Sequence, residues 1–211
     1  DGNIFRMYYR GSQITLTPDK FIDAHPFYIC YAESKDGIHW RKPELGIYEY
    51  KGSKKNNIGL ASGNVGGVHL QMGDNASMFK DGNPDAAPDA RYKAIVCSQK
   101  PKGLFAFKSS DAVHWLPMRK IPVITEGAFD SQNIAFWDSA RNEYRAYWRY
   151  FKDGTNEKTL TKGGIRAVRT AVSKDFLHWS DMKDVSYEDS LPIELYTNQV
   201  KPCFRAPDLF I

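Results

Sequence analysis

Ser, Asp and His close together in sequence are raw material for acid–base catalysis and for metal binding. This chain carries them in a phrase that occurs three times: Ser34-Lys35-Asp36-Gly37-Ile38-His39-Trp40, Ser109-Ser110-Asp111-Ala112-Val113-His114-Trp115 and Ser173-Lys174-Asp175-Phe176-Leu177-His178-Trp179. Read as chemistry, the phrase would be catalytic, or its three histidines a metal site. Repetition decides against both, because an active site is unique whereas a turn can recur in every structural unit. Ser and Asp side chains accept hydrogen bonds from nearby backbone N–H groups and hold tight turns closed. The phrase is therefore expected to be a fold staple, with His39, His114 and His178 satisfied in the turn or core.

The elements around the staple repeat as well. Strand-like runs of aromatic and β-branched residues precede each copy: Tyr28–Ala32, Leu104–Phe107 and Ala167–Val172. A further run lies upstream of each, at Phe5–Arg10, Tyr92–Cys97 and Tyr144–Arg149. Proline-bearing segments follow the tryptophans (Lys42–Ile47, Leu116–Met118 and Leu191-Pro192), which suits outer edge strands or their flanks. Two phrases, Asp74–Phe79 and Gln132–Trp137, align on Asn and on a closing aromatic, and Arg205–Phe210 is a third version. Segments 83–90 and 152–164 read as loops.

Tryptophans spaced 75 and 64 residues apart fit four-stranded units with one variable loop. The expected fold is an all-β propeller of four-stranded antiparallel blades, present as an incomplete set. Residues 1–55 would hold the later strands of one blade, 56–123 and 124–191 complete blades, and 192–211 the start of the next. The chain begins and stops inside a blade on this reading, so strands from a longer protein or from another chain are expected to complete the ring.

Composition narrows the function classes. The formal charge of +4 comes from 29 basic against 25 acidic side chains without long runs, which argues against a nucleic-acid surface. No apolar run is long enough to cross a bilayer, and no signal-peptide pattern opens the chain. Cys30, Cys97 and Cys203 are odd in number and far apart, so buried free thiols are expected, and the compartment stays open.

The thrice-used Ser-x-Asp-x-x-x-Trp, with the phrase Ala206-Pro207-Asp208-Leu209-Phe210, resembles the five-bladed propeller glycosidases of glycoside hydrolase families 32 and 43. Ser34–Trp40 followed by Arg41-Lys42-Pro43-Glu44-Leu45-Gly46 is most similar to bacterial family 32 N-terminal-like proteins. The sialidase Asp-box is one residue longer with a fixed Gly, and no arginine triad accompanies the phrase here. The resemblance implies a sugar funnel on the ring axis, lined by carboxylates on innermost strands, and a carbohydrate partner without a cofactor.

In the fructosidase-like enzymes the general acid stands five residues before the closing aromatic of an inner strand. That position is Asp74, Gln132 or Arg205 in this chain. Hydrolysis of a glycosidic bond needs two carboxyl groups, one protonated and one ionised. Asp74 is the foremost candidate, with Asp130 and Asp208 the next carboxylates; turn capping or a strand-end hydrogen bond is the alternative use of the latter two. Arg205 could hold one of them ionised by charge pairing. His69, Gln132, Asn133 and Trp137 are candidate sugar contacts, core packing being the alternative for Trp137 and Trp148. Two functions stay open: a glycoside hydrolase-like enzyme, or a carbohydrate-binding or scaffolding propeller that has lost its acid pair, as Gln132 and Arg205 in place of acids would suggest.

Overall fold

The computed structural model describes residues 2–152, 164–187 and 194–211, with the backbone alone at 73 and 74. Its regular structure is β-strand apart from one 3-10 turn at Pro88–Ala90. The strands are β1 (Phe5–Gly11), a short hairpin β2–β3 (Ile14–Leu16, Phe21–Asp23), β4 (Tyr28–Ser34), β5 (Trp40–Arg41), β6 (Ile58–Ala61) and β7 (Gly63–Val65). They continue with β8 (Val68–Lys80), β9 (Tyr92–Lys100), β10 (Lys102–Ser109) and β11 (Leu116–Pro117), then β12 (Ile134–Asp138), β13 (Glu143–Lys152), β14 (Ile165–Ser173) and β15 (Lys183–Asp184). A hairpin, β16–β17 (Pro202–Cys203, Ala206–Phe210), comes last. No helix among the described residues is long and apolar enough to cross a membrane.

Strands β8 to β11 and β12 to β15 each pair antiparallel in chain order, the meander of a propeller blade, with β7 added beside the start of β8. The first sheet places β4 against β1 on one side and against β5 and β6 on the other. Between its middle strands runs the β2–β3 hairpin, which the sequence pattern did not announce. The proline-bearing pair Leu116-Pro117 is an outer strand, as expected of a residue that donates no ladder hydrogen bond. In the next sheet the outer strand is Lys183–Asp184, upstream of Leu191-Pro192, which falls outside the described residues.

The sheets stack face to face, so the middle strands are buried on both sides. Every residue of β9 from Tyr92 to Ser98 is buried. Ala94 and Val96 face Tyr8 and Ile29 of the first sheet together with Phe105 and Phe107. Ile95 and Cys97 face Ala135, Tyr144, Ala146 and Trp148 of the third. Two-sided burial is why these strands read as near-continuous apolar runs and not as alternation. Cys30 and Cys97 are buried free thiols, and Cys203 is half-buried.

The three heptads are one structure built three times. In the second copy the Ser109 hydroxyl donates to Asp111 Oδ1 at 3.0 Å and accepts from the Ala112 N–H at 2.9 Å. Asp111 Oδ1 also accepts the Val113 and His114 N–H groups, at 2.9 and 2.8 Å. Its other oxygen meets His114 Nδ1 at 2.7 Å. The same pattern closes the first copy, where Asp36 lies 2.7 Å from His39, and the third, where Asp175 lies 2.6 Å from His178. Hydrogen bonding led by His39 holds the Asp36 carboxyl below the ordinary range. At Asp111 and Asp175 desolvation pushes the other way, and the donated hydrogen bonds from backbone and histidine prevail.

The fourth heptad position is left-handed in all three copies, with φ +77° at Gly37, +71° at Ala112 and +69° at Phe176. Glycine takes this conformation freely. At Phe176 it costs about 1–2 kcal/mol, which burial of the ring, worth about 1.5–3 kcal/mol, offsets. That ring is fully buried, 5.1 Å from Tyr144 and 5.7 Å from both Phe79 and Trp179, and so wedges the seam between the second and third sheets. Trp115 packs edge-on against Tyr8 of the preceding sheet, and Trp179 joins the next seam in the same way. Trp40, on the first sheet, is 38% exposed.

Candidate active-site face

Antiparallel order assigns every connection to one end of the sheets. The heptads and the turns after β8 and β12 lie at one end. The β2–β3 hairpin, the starts of β8 and β12, the β9–β10 turn and the segment before β16 lie at the other. The connections at this second end differ from blade to blade, whereas the heptads at the first repeat.

Asp74 falls within β8, at an interruption of the ladder. Met72 pairs with Ser98 and Ala76 with Val96, so residues 73–75 bulge opposite Cys97. Bulges in a strand re-aim side chains and gather beside active sites. The side chain of Asp74 lies outside the described residues.

Asp130, Gln132 and Asn133 precede β12 at the same end. Asp130 is ion-paired with Arg149 of β13, whose side chain is 2% exposed against 40% for the carboxylate. The guanidinium also reaches the Tyr196 carbonyl at 3.4 Å and lies 5.4 Å from the rings of both Phe151 and Tyr196. The Ser131 hydroxyl donates to the same Tyr196 carbonyl at 2.8 Å, and the Asn198 amide donates to the Gln132 carbonyl at 3.1 Å. These contacts tie segment 194–200 across the start of β12. Asn133, 1% exposed, donates to the Phe129 and Ser131 carbonyls. Arg149 Nε, Asn133 Oδ1 and Asn198 Oδ1 are buried without a hydrogen-bond partner among the described residues.

Arg166 adds a second cation, donating to Glu194 at 2.9 Å and lying 5.5 Å from the Tyr196 ring. Hydrogen bonding to Arg166 holds the Glu194 carboxyl below its usual range. Arg149, Tyr196 and Asn198 escaped the sequence reading. The one available signal was a charged residue inside the otherwise apolar run Tyr147-Trp148-Arg149-Tyr150-Phe151.

The remaining candidates are dispersed. His69, near the start of β8, is exposed and lines a cleft of about 790 Å³ with Asp23, His25, Gln71 and Gln99. Trp137 sits at the heptad end of β12, 4.8 Å from Tyr144 in an edge-on packing contact. Trp148 is fully buried, its indole N–H donating to the Glu126 carbonyl at 2.8 Å. Arg205 occupies the exposed turn between β16 and β17, and Asp208 is exposed on β17. The β17 residue Phe210 packs 5.4 Å from Phe136 of β12.

No protein-family profile matches the chain, and no curated protein does. Solved structures do. A fructofuranosidase from Schwanniomyces occidentalis complexed with fructosylnystose superposes with a TM-score of 0.56 at 16% identity, covering 87% of this chain and 31% of that one. A β-1,2-mannobiose phosphorylase from Listeria innocua gives 0.48 at 17% identity, covering 75% of this chain and 36% of that one. A glycosyl hydrolase from Bacteroides ovatus gives 0.47 at 15%, covering 90% and 56%. The chain thus spans about a third of the first two proteins' length. The likeness to the fructofuranosidase is one of fold, and with the repeated meanders it establishes that this chain is an all-β fold built of four-stranded antiparallel propeller blades.

Proposed function

We propose that the protein processes a glycan at the end of the sheets opposite the heptads, by glycoside hydrolysis. The observation that carries this reading is the Asp130–Arg149 pair. A nearly fully buried guanidinium, clamped between two aromatic rings, orients a half-exposed carboxylate at the threshold of an inner strand. Desolvating an arginine is costly unless it is paired. A surface carboxylate needs no such support for turn capping, whereas a catalytic carboxylate gains from being fixed and charge-compensated.

Asp130 suits the ionised partner, acting as nucleophile or as base toward water. Asp74 suits the acid that protonates the leaving oxygen, its bulge supplying the departure from regular strand geometry. Asp208, exposed on β17, is the reserve carboxylate. Gln132, Asn133 and His69 would contact hydroxyl groups. The exposed Phe5, Met7 and Trp40 on the free side of the first sheet suit a further blade, from the same protein or another chain, completing the funnel.

One observation favours the second reading, a sugar-binding propeller without turnover. The position that would carry an acid is Gln132 at the start of β12 and Arg205 in an exposed turn before β17. The test is turnover of a glycan panel by the wild type, Asp130→Asn and Asp74→Asn. Loss of about 10²–10⁴-fold in rate in both variants, with binding retained, is the expected result. Wild-type rates in both variants on a cleaved substrate overturn the assignment, and binding without turnover selects the second reading.

A further inference from the structure

The cleft that holds His69 has a chemistry of its own. It opens where the β2–β3 hairpin of the first sheet meets the start of β8 and the end of β9, and its volume of about 790 Å³ lies in the range typical of ligand sites. Asp23, His69, Gln71 and Gln99 are exposed on its walls, and among the described residues none of their side chains is engaged by another protein group. His25 is fixed by contrast. Its ring stacks 4.7 Å from Tyr28, and its Nδ1 lies 2.8 Å from the Pro26 carbonyl. A carbonyl only accepts, so Nδ1 carries the hydrogen and Nε2 is left as an acceptor in the neutral ring.

The balance of groups specifies a class of ligand. Two amides and two imidazoles offer donors and acceptors in similar number, as a polyhydroxylated molecule requires. Ala24 and Pro26, exposed on the cleft wall, add apolar surface suited to the C–H faces of sugar rings. No Lys or Arg is among the described lining residues, and the nearby Arg10 guanidinium lies on the Phe27 ring at 3.9 Å. The one carboxyl side chain among the described lining residues is Asp23, which disfavours an anion beside it. We infer that this cleft is a subsite for a neutral oligosaccharide and discriminates against uronate-containing or phosphorylated glycans. The inference rests on the glycan reading above and adds the substrate class to it.

Calorimetric titration of the protein with neutral manno- and fructo-oligosaccharides and with oligogalacturonate tests it, alongside Gln71→Ala, Gln99→Ala, their double variant and Gln71→Lys. All four change exposed side chains, so the fold is retained. Binding of at least one neutral oligosaccharide is expected, weakened about tenfold by each alanine, the loss of one ligand hydrogen bond. Gln71→Lys should shift preference toward oligogalacturonate. A neutral glycan bound equally by the wild type and the double variant overturns the cleft but leaves the glycan reading standing. Preference of the wild type for oligogalacturonate overturns the neutral class. Binding of none of the three overturns both.

Discussion

The two ends of the sheets use the same residue types in opposite ways. At the heptad end each Asp accepts two backbone N–H groups, a serine hydroxyl and a histidine N–H, so its hydrogen-bonding capacity is consumed locally and identically in all three copies. At the opposite end the side chains of Gln71, Gln99 and His69 face a cleft with no hydrogen-bond partner among the described residues, and Asp130 is held by one buried arginine with much of its surface still open. The lesson is that a repeated motif of polar residues marks satisfied architecture. Unrepeated polar residues on the facing end are where chemistry has room. Substitutions should therefore affect stability at one end and ligand binding at the other.

The largest effect is expected at the buried pair of Lys93 and Asp81, beside the heptad end. Asp81 is fully buried and also accepts the Tyr144 hydroxyl at 2.7 Å. Lys93→Met should cost about 3–5 kcal/mol in chemical denaturation, because it strands a buried charge. Recovery of part of that loss in the Asp81→Asn, Lys93→Met double variant would show that the stranded carboxylate is responsible. Asp111→Ala, which removes four accepted hydrogen bonds, should cost about 1–3 kcal/mol.

Acid should act on the same three turns. Their carboxyls are held below the unfolded value, so the stabilisation is complete above about pH 4 and is lost as pH falls below it. A melting temperature that stays flat between pH 6 and pH 3 would contradict the lock. Gly37→Ala should cost about 1 kcal/mol from backbone strain alone, since φ is +77° and the nearest foreign atom is an ordinary 3.8 Å from the new methyl. Gln71→Ala and Gln99→Ala should leave stability within about 0.5 kcal/mol. A larger loss would place those amides in the framework and erase the contrast between the two ends at those positions.

Sequence legibility followed the same division. The heptads, the strands before them and the outer strand at Leu116-Pro117 were readable because a turn lock and a two-sided apolar strand impose local rules that recur. The β2–β3 hairpin was not, since Ile14–Leu16 and Phe21–Asp23 are short and exposed and carry no repeat. Arg149 and Tyr196 come together from positions 47 residues apart through tertiary packing, which no local pattern encodes. The inner strands begin at Ile134 and Ala206, later than the aligned phrases suggest, because Gln132 and Arg205 belong to the connections that precede them.

The double-sided burial of β9 has one more consequence. Alternate residues of this single strand belong to two different hydrophobic clusters, so the strand cannot be released from one sheet neighbour without exposing the other seam. Opening at either seam is therefore coupled to the other. The amides of β9 are the ones whose hydrogen–deuterium exchange should require the most extensive opening of this chain, while those of the exposed β2–β3 hairpin exchange through local fraying.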